Sequence, residues 1–272
     1  MITILPNLTR MGLFLVIAYA FASVTAAQTT GGQRLMARAG RVLADHTAVS
    51  ARIRYRTDLF DQQLVGSGNY LQQRAGNDIF LRLELRIQAG DEVTRLQQVC
   101  DGRFLWLRRD LLQDSSLTRI DLQQVRTAIA EQGDIPSALV FRQLLSLGGL
   151  PGLMDQLEVH FRFAEPRPVE LYGISMWLVS GTWSQEPRGQ IATGQGDRTD
   201  GLPKHVPDEV LVLLGQDDLF PYRIEYRKSE TPAIAGSSAT EAARSIVTME
   251  LFEVQIGMEI DPLNFVFQPG DI

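Results

Sequence analysis

Cysteine and histidine are scarce in this sequence, which has one cysteine, Cys100, and three histidines among its 272 residues. A lone cysteine excludes an internal disulfide, so stability must come from a buried core. His46, His160 and His205 do not lie at metal-ligand spacing from a partner, and the sequence has no nucleophile elbow, phosphate-binding loop or dinucleotide fingerprint. We therefore predict no catalytic residue, no metal site and no cofactor. The lack of these motifs also disfavours the hypothesis that the protein is an enzyme such as a hydrolase of envelope material.

Basic residues are also few relative to acidic ones, and the formal net charge is -6. Because affinity for nucleic acid depends on neutralising phosphates, this excess of acidic residues disfavours nucleic acid as a partner. Residues 1–27 carry one charge, on Arg10, followed by an apolar run from Met11 to Val24 and then by small residues. That pattern is typical of a secretory signal peptide, and the run is shorter than the about 20 apolar residues of a membrane anchor. We predict a periplasmic or secreted protein.

Alternation of apolar and polar residues dominates the rest of the chain and predicts a mainly β fold. Residues 50–59, 79–87, 157–163 and 222–227 place apolar side chains at every second position, with His160 on the polar face of its strand. Such alternation is typical of antiparallel strands that have one covered face and one solvated face. A sheet of about ten strands curls rather than staying flat, so we predict a curved sheet. Further strands are predicted over residues 64–73, 94–100, 103–108, 170–183, 209–214 and 246–256.

Helical periodicity interrupts the strands in two parts of the chain. Residues 31–46 predict an amphipathic helix, and Asp121 is the predicted N-cap of a second helix. A third helix over residues 137–147 ends at a Gly-Gly pair, and residues 150–156 form a short further piece. Because the helix over 137–147 is apolar around most of its circumference, it must be enclosed. The concave face of the sheet is the dry surface available to it.

The stretch QQVCDGRFLWLRRD (97–110) holds Cys100 beside an Asp-Gly pair. Asp-Gly between two apolar-rich runs is a strong hairpin signal and predicts a type I′ turn at Asp101-Gly102. A reactive thiolate needs a helix N-terminus or basic neighbours, whereas Cys100 ends a predicted strand. We therefore interpret Cys100 as a structural residue and not as a nucleophile.

Two polar stretches without periodicity, residues 184–207 and 228–243, each lie between consecutive predicted strands. We interpret them as long exposed hairpin loops rather than as linkers between domains. Residues 28–272 are accordingly predicted to form one domain.

Three stretches, in the same order along the chain, resemble the outer-membrane lipoprotein carrier family, called LolA-like. They are GSGNYLQQRAGNDIF (66–80), VCDGRFLWLRRD (99–110) and IDPLNFVFQPGD (260–271). These resemble the family's "G-x-L-W-x-K-R-P" strand, its "V-S-D-G-x-x-L-W" hairpin and its C-terminal "D-x-x-x-F-x-F-x-P-P-x-G". The resemblance implies an incomplete antiparallel β-barrel closed by helices, with an apolar cavity that shelters acyl chains.

The resemblance also implies a role for one arginine. In the family, the arginine of "K-R-P" hydrogen-bonds carbonyl groups of the helical lid and holds the lid shut. Arg74 matches this position, although Ala75 replaces the proline and Gln73 the lysine. Arg74 is therefore the implied lid latch.

Two functions remain open at this point. The first is a soluble carrier or sensor, predicted to be a monomer, that binds a lipid or lipoprotein acyl chain between the curved sheet and the helical lid, with envelope membrane proteins as further partners. The second is an exported interaction protein whose core is filled and which acts through its long loops without a small-molecule ligand. The residues predicted to line or underlie the cavity are Ile53, Tyr55, Leu81, Leu83, Phe104, Trp106, Leu144, Phe161 and Phe163.

Overall fold

The computed structural model describes most of the chain after the predicted signal peptide. The predicted signal peptide, His205 and most of both long loops lie outside the described residues. Side chains are not described for residues 137–147, so the side chain of Leu144 also lies outside. No described helix combines the length and the apolar character needed to cross a membrane. The described residues are 30–59, 62–76, 78–111, 114–132, 137–185, 202–203, 206–229 and 243–268.

One twelve-stranded sheet forms the body of the structure, and all its pairings are antiparallel. In chain order the strands are β1 (Ala48–Leu59), β2 (Gln62–Ala75), β3 (Asp78–Ala89), β4 (Glu92–Asp101), β5 (Phe104–Leu111), β6 (Asp114–Asp121), β7 (Phe161–Phe163), β8 (Arg167–Leu171), β9 (Ile174–Trp183), β10 (Glu209–Gly215), β11 (Pro221–Ser229) and β12 (Ala243–Ile256).

The described helices lie at the start and in the middle of the chain: α1 (Gly31–Asp45), α2 (Leu122–Gln132) and α3 (Ser137–His160). A carboxylate oxygen of Asp121 accepts a hydrogen bond from the Gln123 amide at 2.9 Å, which confirms the predicted N-cap of α2.

The sheet is open. Its order is β6-β5-β4-β3-β2-β1-β12-β11-β10-β9-β7, with β8 also paired to β9, so β6 lies at one edge and β7 with β8 at the other. On β1, Ala51 and Ile53 are buried while Arg52 and Arg54 are exposed. The buried face, here called the inner face, packs against core residues of α1 and α3. The predicted fold, an open antiparallel sheet covered on one face by helices, is confirmed.

The predicted strand over residues 157–163 is wrong in its first half. Helix α3 continues to His160, and only Phe161–Phe163 are extended. Leu150, Met154 and Leu157 are all buried and are spaced three or four residues apart, so they form one helical stripe. His160 consequently lies at the end of a helix and is buried, not on the polar face of a strand.

The predicted strand over residues 170–183 is two strands. Leu171 pairs with Ile174, and the two residues between them, Tyr172 and Gly173, have φ of 53° and 74°. Positive φ at both central residues is the requirement of a type I′ turn. This turn was not predicted from the sequence, because its first central position is a tyrosine, a residue that rarely adopts positive φ.

Strand β6 was not predicted. Most of its residues are exposed, since it is an edge strand with no covered face over most of its length. Alternation between apolar and polar residues therefore does not mark it in the sequence.

The turn at Asp101-Gly102 also differs from the prediction. Cys100 pairs with Leu105, so four residues form the connection, and of these only Gly102 has a positive φ, at 90°. The Asp101 carboxylate accepts hydrogen bonds from the amides of Arg103 at 2.9 Å and Phe104 at 2.6 Å. This local side-chain bonding replaces the type I′ geometry.

A second, smaller core lies on the other face of the sheet, here called the outer face. A short 3-10 helix, Pro262–Phe265, inserts Phe265 against Phe80, with ring centroids 5.8 Å apart. Ala48 and Ile260 complete this small cluster. The C-terminal part of the chain is thereby held against the outside of β1 and β3.

Replacing Phe265 with alanine should lower the free energy of unfolding by about 3 kcal/mol, because a large buried aromatic side chain is lost. Leu263, in the same short helix, is 69% exposed, and Leu263→Ala should change stability by less than about 0.5 kcal/mol. Urea unfolding of both variants measures the difference. Equal effects would contradict the assignment of Phe265 to a core.

Candidate functional site

Most of the predicted lining residues lie together on the inner face, fully enclosed. Ile53, Leu81, Leu83, Phe161 and Phe163 are each at most 2% exposed and belong to one continuous core with α1 and α3. In this conformation other protein atoms surround these side chains, so the interior around them is filled. Of the remaining predicted residues, Tyr55 is half-buried and packs against the same core.

Two predicted lining residues lie on the outer face instead. Phe104 and Trp106 alternate along β5 with Leu105 and Leu107, which belong to the inner core. The Trp106 ring stacks on that of Phe267, with centroids 4.8 Å apart and planes 9° apart. Phe104 and Trp106 were predicted to line or underlie the cavity, but the register of β5 turns Leu105 and Leu107 inward.

Arg74, the implied latch, lies near the end of β2 and is exposed. Its backbone amide donates a hydrogen bond to the Thr47 carbonyl at 2.9 Å. Among the residues that the structure describes, the Arg74 guanidinium has no hydrogen-bonding or ionic partner. Residues 133–136 at the start of the lid lie outside the described part, so the latch stays a prediction.

A hydrogen bond that was not predicted from the sequence joins α3 to the sheet. The Leu150 amide donates a hydrogen bond to the Tyr70 hydroxyl at 2.8 Å, and the same hydroxyl bonds the Gln72 side-chain oxygen. Tyr70 is fully buried, and this burial raises its pKa far above the usual range while the Leu150 amide has a smaller, opposite effect. Burial therefore favours the neutral hydroxyl.

Helix α3 bends where it meets this hydroxyl. Gly149 has φ 60° and ψ -152°, a conformation outside the helical region, and Pro151 follows within the same element. A Cβ atom on Gly149 would lie 2.4 Å from the Gln72 side-chain oxygen and 2.5 Å from the Tyr70 hydroxyl oxygen. The kink thus requires glycine for both its backbone angles and its space. The Gly-Gly-x-Pro sequence at 148–151 was the available signal for it.

The inner face is accessible beside α1. A groove of about 730 Å³ runs between α1 and the turn that joins β10 to β11. Its apolar floor consists of Leu35, Val42, Trp177 and Leu219, and all four of these residues pack in or against the inner core. The floor of the groove is therefore continuous with the interior between sheet and helices.

Charged side chains form the two rims of this groove. Arg34 and Arg38 lie one helical turn apart on α1, and Asp217 and Asp218 lie opposite on the β10–β11 turn. His46, just past the end of α1, also lines the groove, and its buried Nε2 has no hydrogen-bond partner within the described residues. The groove thus combines an apolar floor with one basic and one acidic rim.

Both rims are held by hydrogen bonds. The Gln33 side chain of α1 donates to the Glu158 carbonyl at 3.0 Å and accepts from the Phe163 amide at 3.2 Å. On the acidic side, the Gln216 amide donates to the Ser175 carbonyl at 3.1 Å. These bonds attach both sides of the groove to neighbouring elements.

Cys100 belongs to the inner core. Its thiol donates a hydrogen bond to the Ile79 carbonyl at 3.1 Å, and burial raises the pKa of the thiol. A raised pKa opposes thiolate formation, which agrees with a structural role.

Within the described residues, no cluster of three or more histidine, cysteine or acidic side chains is placed to hold a metal ion. His160 bonds the Gln156 side chain at 3.0 Å and lies beside the Trp183 ring. Burial lowers the pKa of His160. Among the described residues, His160 therefore has the environment of a core residue.

Solved structures with a similar path of the chain include lipoprotein LppX of Mycobacterium tuberculosis, with 11% identity, a TM-score of 0.42 and coverage of 85% of this chain and 97% of that one. A DUF1329 family protein from Desulfovibrio piger has 12% identity and a TM-score of 0.36 over 86% of this chain and 95% of that one. A putative outer membrane lipoprotein-sorting protein domain from Vibrio parahaemolyticus has 8% identity and a TM-score of 0.34, with coverage of 86% and 95%.

No protein-family model matches the chain, and no curated protein matches it significantly. At identities of 8 to 12%, the likeness to these structures concerns the fold alone.

The kink at Gly149 leads to a matched pair of substitutions. Gly149→Ala should destabilise the protein by more than Gly76→Ala, because both positions have φ of 60° but only at Gly149 would the added methyl collide with Tyr70 and Gln72. We expect a difference of about 1–3 kcal/mol, as for other overpacked sites. Chemical unfolding of the two variants measures this difference in the free energy of unfolding. Equal destabilisation of both variants would show that the kink does not pack against β2.

Proposed function

We propose that the protein is an exported carrier or sensor that binds an acyl chain of a lipid or lipoprotein. The observation that carries this proposal is the groove beside α1, whose apolar floor is continuous with the inner core. Its volume of about 730 Å³ falls within the range of about 300–1,000 Å³ typical of small-molecule sites. Burial of each methylene contributes about 0.8 kcal/mol, so a long chain gains substantially from such a floor.

The deeper interior is proposed to open by movement of the first half of α3, here called the cover, about Gly149. The kink separates this half from the part of α3 that the Tyr70 hydroxyl holds to β2. Phe104 and Trp106 are left out of the proposed lining because they lie on the outer face. The proposed lining of the opened interior is Ile53, Tyr55, Leu81, Leu83, Leu144, Phe161 and Phe163.

Export is supported by the signal-like segment over residues 1–27. Location in the periplasm would bring the protein close to lipids and lipoproteins of the envelope. Its proposed protein partners are membrane proteins of the envelope. We propose a binding protein and not an enzyme, since the site that supports the function best has an apolar floor.

The second candidate function is an interaction protein with a filled core, acting through the loops over 184–207 and 228–243. The observation that favours it is the enclosure of the inner-face side chains, which are at most 2% exposed at Ile53, Leu81, Leu83, Phe161 and Phe163. Binding of an acyl probe separates the two functions, because a protein of the second kind has no place for one.

Val42→Trp should weaken binding of a fluorescent fatty acid by at least about tenfold, because the indole would fill the floor of the groove; tenfold corresponds to about 1.4 kcal/mol. Arg41→Trp is the matched control, since Arg41 is the exposed neighbour on α1. Titration of the probe by fluorescence measures both. Failure of the folded wild type to bind any acyl probe would overturn the proposal and favour the interaction protein.

Tyr70→Phe should speed release of the bound probe. Removing the hydroxyl leaves the Leu150 amide buried without its partner, which costs about 1–3 kcal/mol while α3 stays on β2. The second half of α3 should then lift together with the cover, which opens the interior further. Tyr172→Phe, at a tyrosine that is 78% exposed, is the control. Stopped-flow dilution measures the release rates, and unchanged release in Tyr70→Phe would exclude this contact as a determinant of opening.

Arg74→Leu tests the proposed latch in the same measurement. A release rate equal to that of the wild type would exclude the latch at Arg74, while faster release would place a second restraint on the cover.

A further inference from the structure

The rims of the groove point to the kind of headgroup that its ligand carries. We propose that the groove selects a zwitterionic phospholipid. This proposal rests on the acyl-binding function above. In this arrangement Arg34 and Arg38 bind the headgroup phosphate, and Asp217 faces the ammonium group. The acyl chain lies on the apolar floor between the two rims.

The basic rim suits a phosphate. Arg34 and Arg38 are four residues apart on one helix, so their side chains lie on the same face of α1, and both are exposed at the groove. Guanidinium groups bind phosphate oxygens through charge-assisted hydrogen bonds in a fixed planar geometry. Within the described residues Arg38 makes no side-chain hydrogen bond or ion pair, so its donors are available to a ligand.

The two carboxylates of the acidic rim have different roles: Asp218 stabilises the turn, and Asp217 faces the ligand. One oxygen of Asp218 accepts from the Phe220 amide at 2.9 Å and the other from the Tyr222 hydroxyl at 2.7 Å. These bonds are internal to the turn and hold its shape. The neighbouring Asp217 is exposed and, in the part of the chain that the structure describes, has no hydrogen-bonded or ionic partner.

The turn that carries Asp217 contains an unfavourable backbone conformation. Leu219 has φ 54°, which is unfavourable for a bulky residue, and its side chain is buried in the core beneath the groove. A Cβ atom on Gly215 would lie 2.1 Å from the Asp218 carboxylate, so this glycine is also required. A turn held in this way keeps Asp217 in a fixed position opposite α1, as preorganised recognition needs.

The pairing of rims distinguishes a zwitterion from a simple anion. A fatty acid or an anionic phospholipid would satisfy the arginines but would meet the repulsion of two carboxylates across the groove. A headgroup with both a phosphate and an ammonium group complements both rims at once, and such complementarity determines specificity more than overall affinity.

Binding of acyl-chain-labelled phosphatidylethanolamine, phosphatidylglycerol and the corresponding fatty acid to the purified full chain tests the proposal. The wild type should bind the phosphatidylethanolamine probe at least about tenfold more tightly than the phosphatidylglycerol probe, and Asp217→Lys should abolish or reverse this preference. Arg38→Glu should weaken both phospholipids. Asp91→Lys and Arg109→Glu repeat the same charge changes at exposed positions that do not line the groove and should leave the preference unchanged.

Equal binding of the three probes, unchanged in Asp217→Lys and Arg38→Glu, would overturn the headgroup proposal and leave the acyl-binding function standing. Tighter binding of phosphatidylglycerol by the wild type would also overturn it. If none of the probes binds to the folded wild type, the acyl-binding function itself fails, and the headgroup proposal fails with it.

Discussion

The hydrogen bond from the Leu150 amide to the Tyr70 hydroxyl fixes the point at which the helices meet the sheet. An open sheet with one apolar face must be covered, and α3 crosses that face only because its kink fits against β2. The amide freed by the kink at Gly149 would otherwise be a buried donor without an acceptor. The hydroxyl of Tyr70 supplies that acceptor, so the bend in the helix and the buried tyrosine depend on each other.

This junction holds the second half of α3 in place. The second half of α3 is held by Tyr70 at its start and by the bond between Gln33 and the Glu158 carbonyl near its end. Because Gln33 belongs to α1, the same bond positions the basic rim of the groove. The half of α3 before Gly149 lies on the other side of the kink, and motion there would leave the rims in place.

The sequence predicts the sheet better than it predicts the site. Ile53 and its neighbours on β1 alternate so regularly that one covered face follows directly. The stripe of Leu150, Met154 and Leu157 fits a helix, but the residues after it also alternate, and only packing decides between the two periods. Tyr70 was not identified because a buried hydroxyl has no sequence signature until its acceptor partner is known. The groove could not be foreseen, since it joins α1 to a turn some 170 residues away in the chain.

A filled interior and an acyl-binding function are compatible in energetic terms. In the proposed opening, movement of the cover would expose inner-face side chains, at a cost of about 25 cal/mol for each Å² of apolar surface. An acyl chain that occupied the opened interior would cover the exposed surface and so offset this cost, whereas water would not. The closed form is therefore the expected state of the empty protein, and the groove, whose floor is already apolar and already open, is where such a chain first gains contact.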